Sequence, residues 1–475
     1  MILGSLLNIF RISDLRRKVL VTLALIGVYR LGCFVPTPFI DPNAMKEYFN
    51  TTLGGGGGVL GVVNMFSGGA FSQMTIFALG IMPYISASII IQLLTAVWPR
   101  LERISKEGEA GRKKINQWTR YATVGLSFFQ GFGIGVWLNN SNLSMIPESP
   151  FWFLLMTSVT MCTGTCFIMW LGEKITAHGI GNGISLIIMV SIISEYPMSL
   201  RLAFVQIANN AMTPIALVAV LTMGILVAAL IVFGQQANRK VPVQHARRMV
   251  GRRMMQGSTN YIPLKLNTAS VIPVIFSSAI LTFPSMILPS LSSDPSSVFY
   301  ALGSYLDMNS IHNPYNALEL SSGGAFNLLK MLNIYTLAFA LLTGFFCFFY
   351  TAITLNPTDL ADNLKKQGAY IPGIKPGKHT ADFIDHILVR ITVVGALLLI
   401  VVALVPQMMF VSFGIQFSVA QLAGGTGMII VVGVLLDTMK QIESQLLMRH
   451  YEGFSGEPGG GGRAPRRPVV RLRRA

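Results

Sequence analysis

Residues 61–94 read GVVNMFSGGAFSQMTIFALGIMPYISASIIIQLL and follow a run of five glycines, Gly54–Gly58. The stretch opens on a short amphiphilic piece, Val62–Ser72, and continues from Thr75 as an apolar run. A spanning helix needs roughly 20 apolar residues, so the second piece is long enough to cross a bilayer and the first is not. A half-length segment feeding a full one predicts a helix broken inside a cavity. Non-helical backbone at membrane depth is tolerated only where protein or water surrounds it. Hydropathy by itself favours a plainer reading, a re-entrant loop and an ordinary membrane helix.

The rest of the chain has the composition of a polytopic membrane protein. Of its 475 residues, 52% are hydrophobic and 12% charged; soluble domains carry about 25% charged residues. Mean hydropathy is +0.58. Outward from the span at about 75–96, nine more are read near 19–38, 119–138, 151–172, 183–196, 213–234, 268–289, 332–355, 384–405 and 425–447. The fifth is short, bounded by the turn GIGNGIS (179–185) and by Glu195 and Pro197. The expected fold is an all-α polytopic membrane protein with ten transmembrane helices.

Basic residues fix the orientation, because cytoplasmic loops of membrane proteins carry the excess of Lys and Arg. With the N-terminus inside, inner segments hold 31 of the 36 Lys and Arg, which accounts for much of the net charge of +16. Outer loops hold only Lys46, Arg201 and Lys330. Arg30 and Arg390 fall near the ends of spans, where long side chains can snorkel to the interface. A miscount by one span would scramble this alternation, so both termini are placed in the cytoplasm. The opening MILGSLLNIFRISDLRRKVL lacks a small-residue cleavage site and is expected to be mature sequence.

Five spans precede residue 205 and five follow it, so the halves 1–205 and 206–447 are expected to be inverted relative to each other. Such repeats place the functional path at their interface, here a central pore. The stretch 448–475, Gly/Pro-rich and then Arg-rich, is expected to be a disordered basic cytoplasmic tail near anionic lipids.

No reaction chemistry stands out. Cys33, Cys162, Cys166 and Cys347 all fall in apolar spans and read as packing thiols. The six histidines show no metal-ligand spacing. GIGNGIS has neither the preceding strand nor the following lysine of a phosphate loop. No catalytic residue, no metal and no cofactor are expected, and the chain is not read as an enzyme. The spans also hold no central Asp or Glu. An ion- or proton-coupled secondary transporter with inverted repeats, the main alternative, needs ionisable groups at the midplane. A conduit for diverse chains that must hold back ions needs instead an apolar constriction that gates by dewetting. A membrane scaffold without a conduit has no use for the half-length piece.

MFSGGAFSQ and IFALGIMPYISASIIIQLL together resemble the SecY family, the channel subunits of the bacterial Sec protein translocon. GEKITAHGIGNGIS is similar to the same family, as are two cytoplasmic loops, GQQANRKVPVQHARRMVGRRMMQGSTNYIPLK (234–265) and NPTDLADNLKKQGAYIPGIKPGKHTADF (356–383). The likeness runs from LRRKVL (15–20) to the tenth span. It implies a protein-conducting channel in the bacterial inner membrane that translocates unfolded secretory proteins and inserts membrane proteins. It implies a plug at about 62–73 carrying Asn64, Met65, Phe66, Ser67, Gly68, Gly69 and Phe71. It implies a pore ring of Ile81, Ile85, Ile184, Ile188, Ile275 and Ile430. A lateral gate would lie between spans two and seven, with Ser86, Ser88 and Gln92 opposite Ser277, Ser278 and Phe283.

The loops at about 235–267 and 356–382 would dock the SecA motor ATPase or the ribosome. The residues implied are Arg239, Lys240, Arg247, Arg248, Arg252, Arg253, Lys365, Lys366 and Lys375. Arg clusters suit RNA phosphates and acidic protein surfaces. The family usually has Arg where Lys375 stands, and Lys keeps the charge without the bidentate fork. The further partners implied are the SecE and SecG subunits, signal peptides and unfolded precursor proteins.

Overall fold

The computed structural model of the chain describes residues 13–51, 59–141, 149–245, 248–250, 253–255, 259–291, 297–298, 334–413 and 415–455. The chain enters through helix α1 (Ser13–Gly32) and a short helix α2 (Pro42–Thr51). Helix α3 (Val59–Ser67) is only 9 residues long. It stops at Gly68 (φ +68°) and Gly69 (φ +85°), a left-handed pair that glycine adopts without strain.

Residues beyond it turn instead of coiling. Pro36 pairs with Thr75, Thr37 N donates to Met74 O, and Ile76 N donates to Val35 O. The second span, expected to be helical from about residue 75, therefore starts its helix only at Met82. That helix is α4 (Met82–Val97), with proline in its first turn and Ile81 as its N-cap. The backbone around Thr75 has spent its hydrogen bonds on the loop after α1, and the positive φ at Met74 and Gly80 excludes a regular helix there.

A break at Trp98 separates α4 from α5 (Pro99–Lys106), bent from it by 100°. Then come α6 (Glu109–Asn140), α7 (Pro150–His178), α8 (Gly183–Ala208) and α9 (Pro214–Gln236). Prolines open α5, α7 and α9, where a missing N–H costs nothing and φ is already helical. Asn182 caps α8, its Oδ1 accepting from Ile184 N at 3.1 Å. Helix α8 does not end near 196 as expected. It runs through Pro197 to Ala208, because one lost backbone bond does not end a membrane helix whose neighbours pack around it.

The second half begins with strands β1 (Asn238–His245), β2 (Arg248–Val250), β3 (Arg253–Met255) and β4 (Thr259–Lys265). Helices α10 (Ile272–Leu291), α11 (Ile334–Thr354) and α12 (Pro357–Lys366) follow. Strand β5 (Ala369–Tyr370) leads to α13 (Lys378–Phe413), α14 (Phe417–Ala420) and α15 (Gly425–Ser455). Helix α15 carries on to Ser455, into the stretch expected to be a disordered tail. The first twelve residues, Gly54–Gly58, Arg247, Arg252, the connector 299–333 and the tail from 456 lie outside the described residues.

Strand β1 pairs antiparallel with both β4 and β5, so the two long loops close into one small sheet, and the chain is not wholly helical. Val241 and Val243 alternate onto one face of β1. That face is buried with Leu264, Leu364, Ile371, Ile384 and Ile387 in a core of its own.

Seven described helices are long and apolar enough to cross a membrane, eight if the bent pair α4–α5 is one span. The basic residues of α1, Arg16, Arg17, Lys18 and Arg30, keep its 20 residues outside that count. Helix α9 exposes Ile215, Ile225 and Phe233, at 81%, 74% and 72% of their surfaces. Faces of that kind are unfavourable in water and match lipid hydrocarbon, and the chain is a multi-pass membrane protein.

Candidate functional site

Helix α3 packs against α8 and α10. Its Val62, Met65 and Phe66 are buried in the large central apolar cluster. Ile81, Ile85, Ile188 and Ile430 are buried in that same cluster, and Ile184 and Ile275 are half-buried against it. The glycines show how tightly this region is packed. A Cβ on Gly427 of α15 would lie 3.0 Å from Met65 Sδ and 3.1 Å from Ile192 Cγ2. Met65, Ile192 and the Gly427 backbone therefore meet at one point. Ile184 sits against a different neighbour: a Cβ on Gly172 of α7 would lie 2.9 Å from Ile184 Cγ1.

The turn after α3 is held by polar groups. Gly69 N and Ser67 Oγ donate to Asn64 O at 3.0 Å each, and Ser72 N donates to Asn64 Oδ1 at 2.9 Å. Phe71 N donates to Ser67 Oγ at 3.1 Å, and the Phe71 ring stacks on Trp137 of α6. Side chains of α1 and α8 reach the same turn. Tyr29 OH lies 3.2 Å from Ser67 O and 2.6 Å from Ser191 Oγ. Arg30 Nη1 donates to Gly68 O at 3.0 Å and to Ser194 Oγ at 2.9 Å. Asn64 Nδ2 donates to Glu195 Oε1 at 3.4 Å. Above the turn lies a cavity of about 370 Å³ lined by Arg30, Lys46, Asn64, Gln73, Glu195 and Gln421 among others. Helix α3 and the turn after it thus have an apolar side in the core and a polar side on the cavity.

Helices α4 and α10 touch, as do α6 and α10. Ser86, Ser88 and Gln92 are half-buried on α4, and Gln92 Nε2 donates to Ser88 Oγ at 3.1 Å within that helix. On α10, Ser278 Oγ donates to Ile275 O. Ser277 Oγ donates to Pro273 O and accepts from Thr343 Oγ1 of α11 at 3.0 Å. Ser277 therefore ties α10 to α11. The Phe283 side chain is outside the described residues.

Arg239, Lys240, Lys365, Lys366 and Lys375 are all exposed, on or beside the small sheet. The side chains of Arg248 and Arg253 are not described. On α5, Lys106 Nζ donates to Glu102 Oε1 at 2.7 Å, and that bond holds the Glu102 carboxyl below its ordinary range. Both groups are exposed, so the pair adds little to stability. Among the described residues, no group of three or more His, Cys, Asp or Glu gathers to hold a metal.

A family model described as SecY matches residues 75–439. The protein translocase subunit SecY of Streptomyces galbus is 44% identical over 453 residues, covering 94% of this chain and 98% of that protein. The chain belongs to the SecY family. Solved structures share the fold. One, described as a SecY channel whose plug domain stabilises the closed state and maintains a membrane seal, aligns with TM-score 0.60 at 17% identity, covering 93% of this chain and 94% of that one. Sec61 in a canine ribosome–channel complex aligns with TM-score 0.57 at 16% identity, over 93% and 94% of the two chains.

Within this SecY chain, the site includes residues that the motifs do not mark, among them Tyr29, Arg30, Ser191, Ser194, Glu195 and Ile192. Arg30 was assigned to snorkelling, yet it turns inward to the Gly68 carbonyl. Glu195 reads in sequence as a span boundary, yet it lies within α8 and accepts from Asn64 Nδ2. Ile192, one turn beyond Ile188, lies beside Met65. The spacing Ile188–Ile192 was available, but an aliphatic helix offers several such pairs and no means of choosing between them.

Proposed function

We propose that this chain conducts unfolded secretory proteins across the bacterial inner membrane and releases apolar segments sideways into it. One observation carries this reading. A helix too short to span, α3, is seated among α8, α10 and α15 in the apolar centre, with a polar cavity on its other side. That is the arrangement of a stopper at a constriction. A plug domain is named as maintaining the seal in one of the similar channels, and the same role fits α3 here. The apolar ring comprises Ile81, Ile85, Ile188, Ile275 and Ile430. Ile192 joins it at the plug, and Ile184 lies toward α7.

The chain is read as ten membrane-crossing segments in two inverted halves, both termini in the cytoplasm, with α4 and α10 as the lateral gate. It carries no reaction of its own. Its partners are the SecE and SecG subunits, and the basic sheet docks SecA or the ribosome. The similar Sec61 channel is itself ribosome-bound.

The test is reconstitution with SecE and SecG in vesicles, with SecA and ATP supplied. A signal-bearing precursor is expected to become protease-protected inside. Deleting residues 62–72 is expected to leave a folded channel that leaks small ions at rest. A deletion as ion-tight as the parent would contradict the plug assignment.

A further inference from the structure

We propose that Arg30 is the latch of the closed channel: its guanidinium holds the turn after α3 by the backbone, and Asn64 with Glu195 forms the second catch. This rests on reading α3 as a plug. Arg30 stands near the end of α1, where its side chain could reach water. Instead Nη1 donates to Gly68 O and to Ser194 Oγ of α8, so one group ties α1, the plug turn and α8 together. A Cβ on Gly68 would lie 2.9 Å from that Nη1. On the other side of the turn, Asn64 Nδ2 donates to Glu195 Oε1, and a Cβ on Gly69 would lie 2.7 Å from the same oxygen. The two glycines are therefore pressed between an arginine and a glutamate.

The apolar contacts of Val62, Met65 and Phe66 resist withdrawal of α3 into water but do not fix its angle. Directional bonds from Arg30 and Asn64 do. Both latches face the cavity of about 370 Å³. Water can replace each bond there once the turn moves, so release of the latch is reversible, while withdrawal of α3 must also part its apolar contacts.

The experiment uses the channel assembled with SecE and SecG in liposomes, its four native cysteines replaced. Arg30→Ala, Arg30→Lys, Asn64→Leu and a deletion of residues 62–72 are compared for resting ion leak and for the labelling rate of Ser72→Cys by a polar maleimide. Arg30→Ala removes both bonds of Nη1, and Asn64→Leu removes the bond to Glu195 together with the acceptor of Ser72 N, so each is expected to raise the unlatched population about tenfold or more. Leak and labelling should rise together in Arg30→Ala and Asn64→Leu and fall back in Arg30→Lys. A destabilised fold would not be rescued by lysine. If Arg30→Ala fails to assemble, Asn64→Leu and Ser194→Ala decide the matter. A leaking deletion beside tight, slowly labelled Arg30→Ala and Asn64→Leu channels overturns the latch and leaves the plug standing. A tight deletion overturns the plug, and the latch with it.

Discussion

Gly427 sets how closely the plug approaches α15. A Cβ there would lie 3.0 Å from Met65 Sδ and 3.1 Å from Ile192 Cγ2, so both must give way by a few tenths of an ångström, and the further methyls of a valine ask for more. Gly427→Val is expected to displace α3 and raise the resting ion leak several-fold, as read by dye-release or halide flux, with little loss of assembled protein. Unchanged flux would mean that Met65 does not seal against α15. Lys375 poses a different question. It is exposed, and a lysine offers a point charge where arginine offers a fork. Lys375→Glu is expected to weaken SecA binding about tenfold and Lys375→Arg to leave it equal or tighter, measured by equilibrium binding to channels in nanodiscs.

At this scale the sequence was legible by motif and not by geometry. In MFSGG the glycine pair marks where the short helix α3 stops, because left-handed turns call for glycine. Nothing in the order of residues said that Arg30 and Glu195 would converge on that turn from helices 165 positions apart in sequence.

The elements with the clearest surprise are the two long loops, 235–267 and 356–382. Read separately, they are projecting basic loops for docking. In the fold, β1 joins β4 and β5, and Val241, Val243, Ile384 and Ile387 form a core beneath the basic surface. The alternation of Val241 and Val243 was visible, but β5, the strand that joins the second loop to the first, lies more than a hundred residues away, and its two residues give no signal of their own. Ile384 is 1% exposed, so Ile384→Ala is expected to cost about 2–5 kcal/mol of the local fold. Limited proteolysis should then cut both loops faster while the membrane helices stay protected. Unchanged cleavage would show that the loops do not fold as one unit.

The gate is an element-scale claim too. With Ser277 bonded to Thr343, α10 is tied to α11 on one side and touches α4 on the other. The α4–α10 seam is therefore the weaker side. In a chain whose native cysteines are replaced, single cysteines paired from 84–92 and 276–282 are expected to crosslink at rest. Those crosslinks should block export until reduced. Locked channels that export normally would contradict a lateral gate.

Across the whole molecule, the charge distribution argues for one orientation by arithmetic: with 31 of 36 basic residues in alternate segments, both termini are expected in the cytoplasm. Span limits were read less well, because hydropathy does not register backbone hydrogen bonding: the segment from Thr75 is apolar yet turned, and α8 runs through Pro197. The exposed basic sheet is expected to give salt-sensitive docking, since each phosphate or carboxylate contact is screened by added ions.

The central claim is that a translocating chain passes through the apolar ring once α3 has moved aside. The most direct measurement traps a precursor midway, with a single photoreactive or cysteine probe in its mature part. Its crosslinks are then mapped to channels carrying one cysteine each at Ile85, Ile188, Ile275, Ile430 or lipid-facing Ile225. Strong crosslinks at the four ring positions and none at Ile225 are expected. Crosslinks at Ile225 with the ring positions silent would place the path outside the pore and contradict the account.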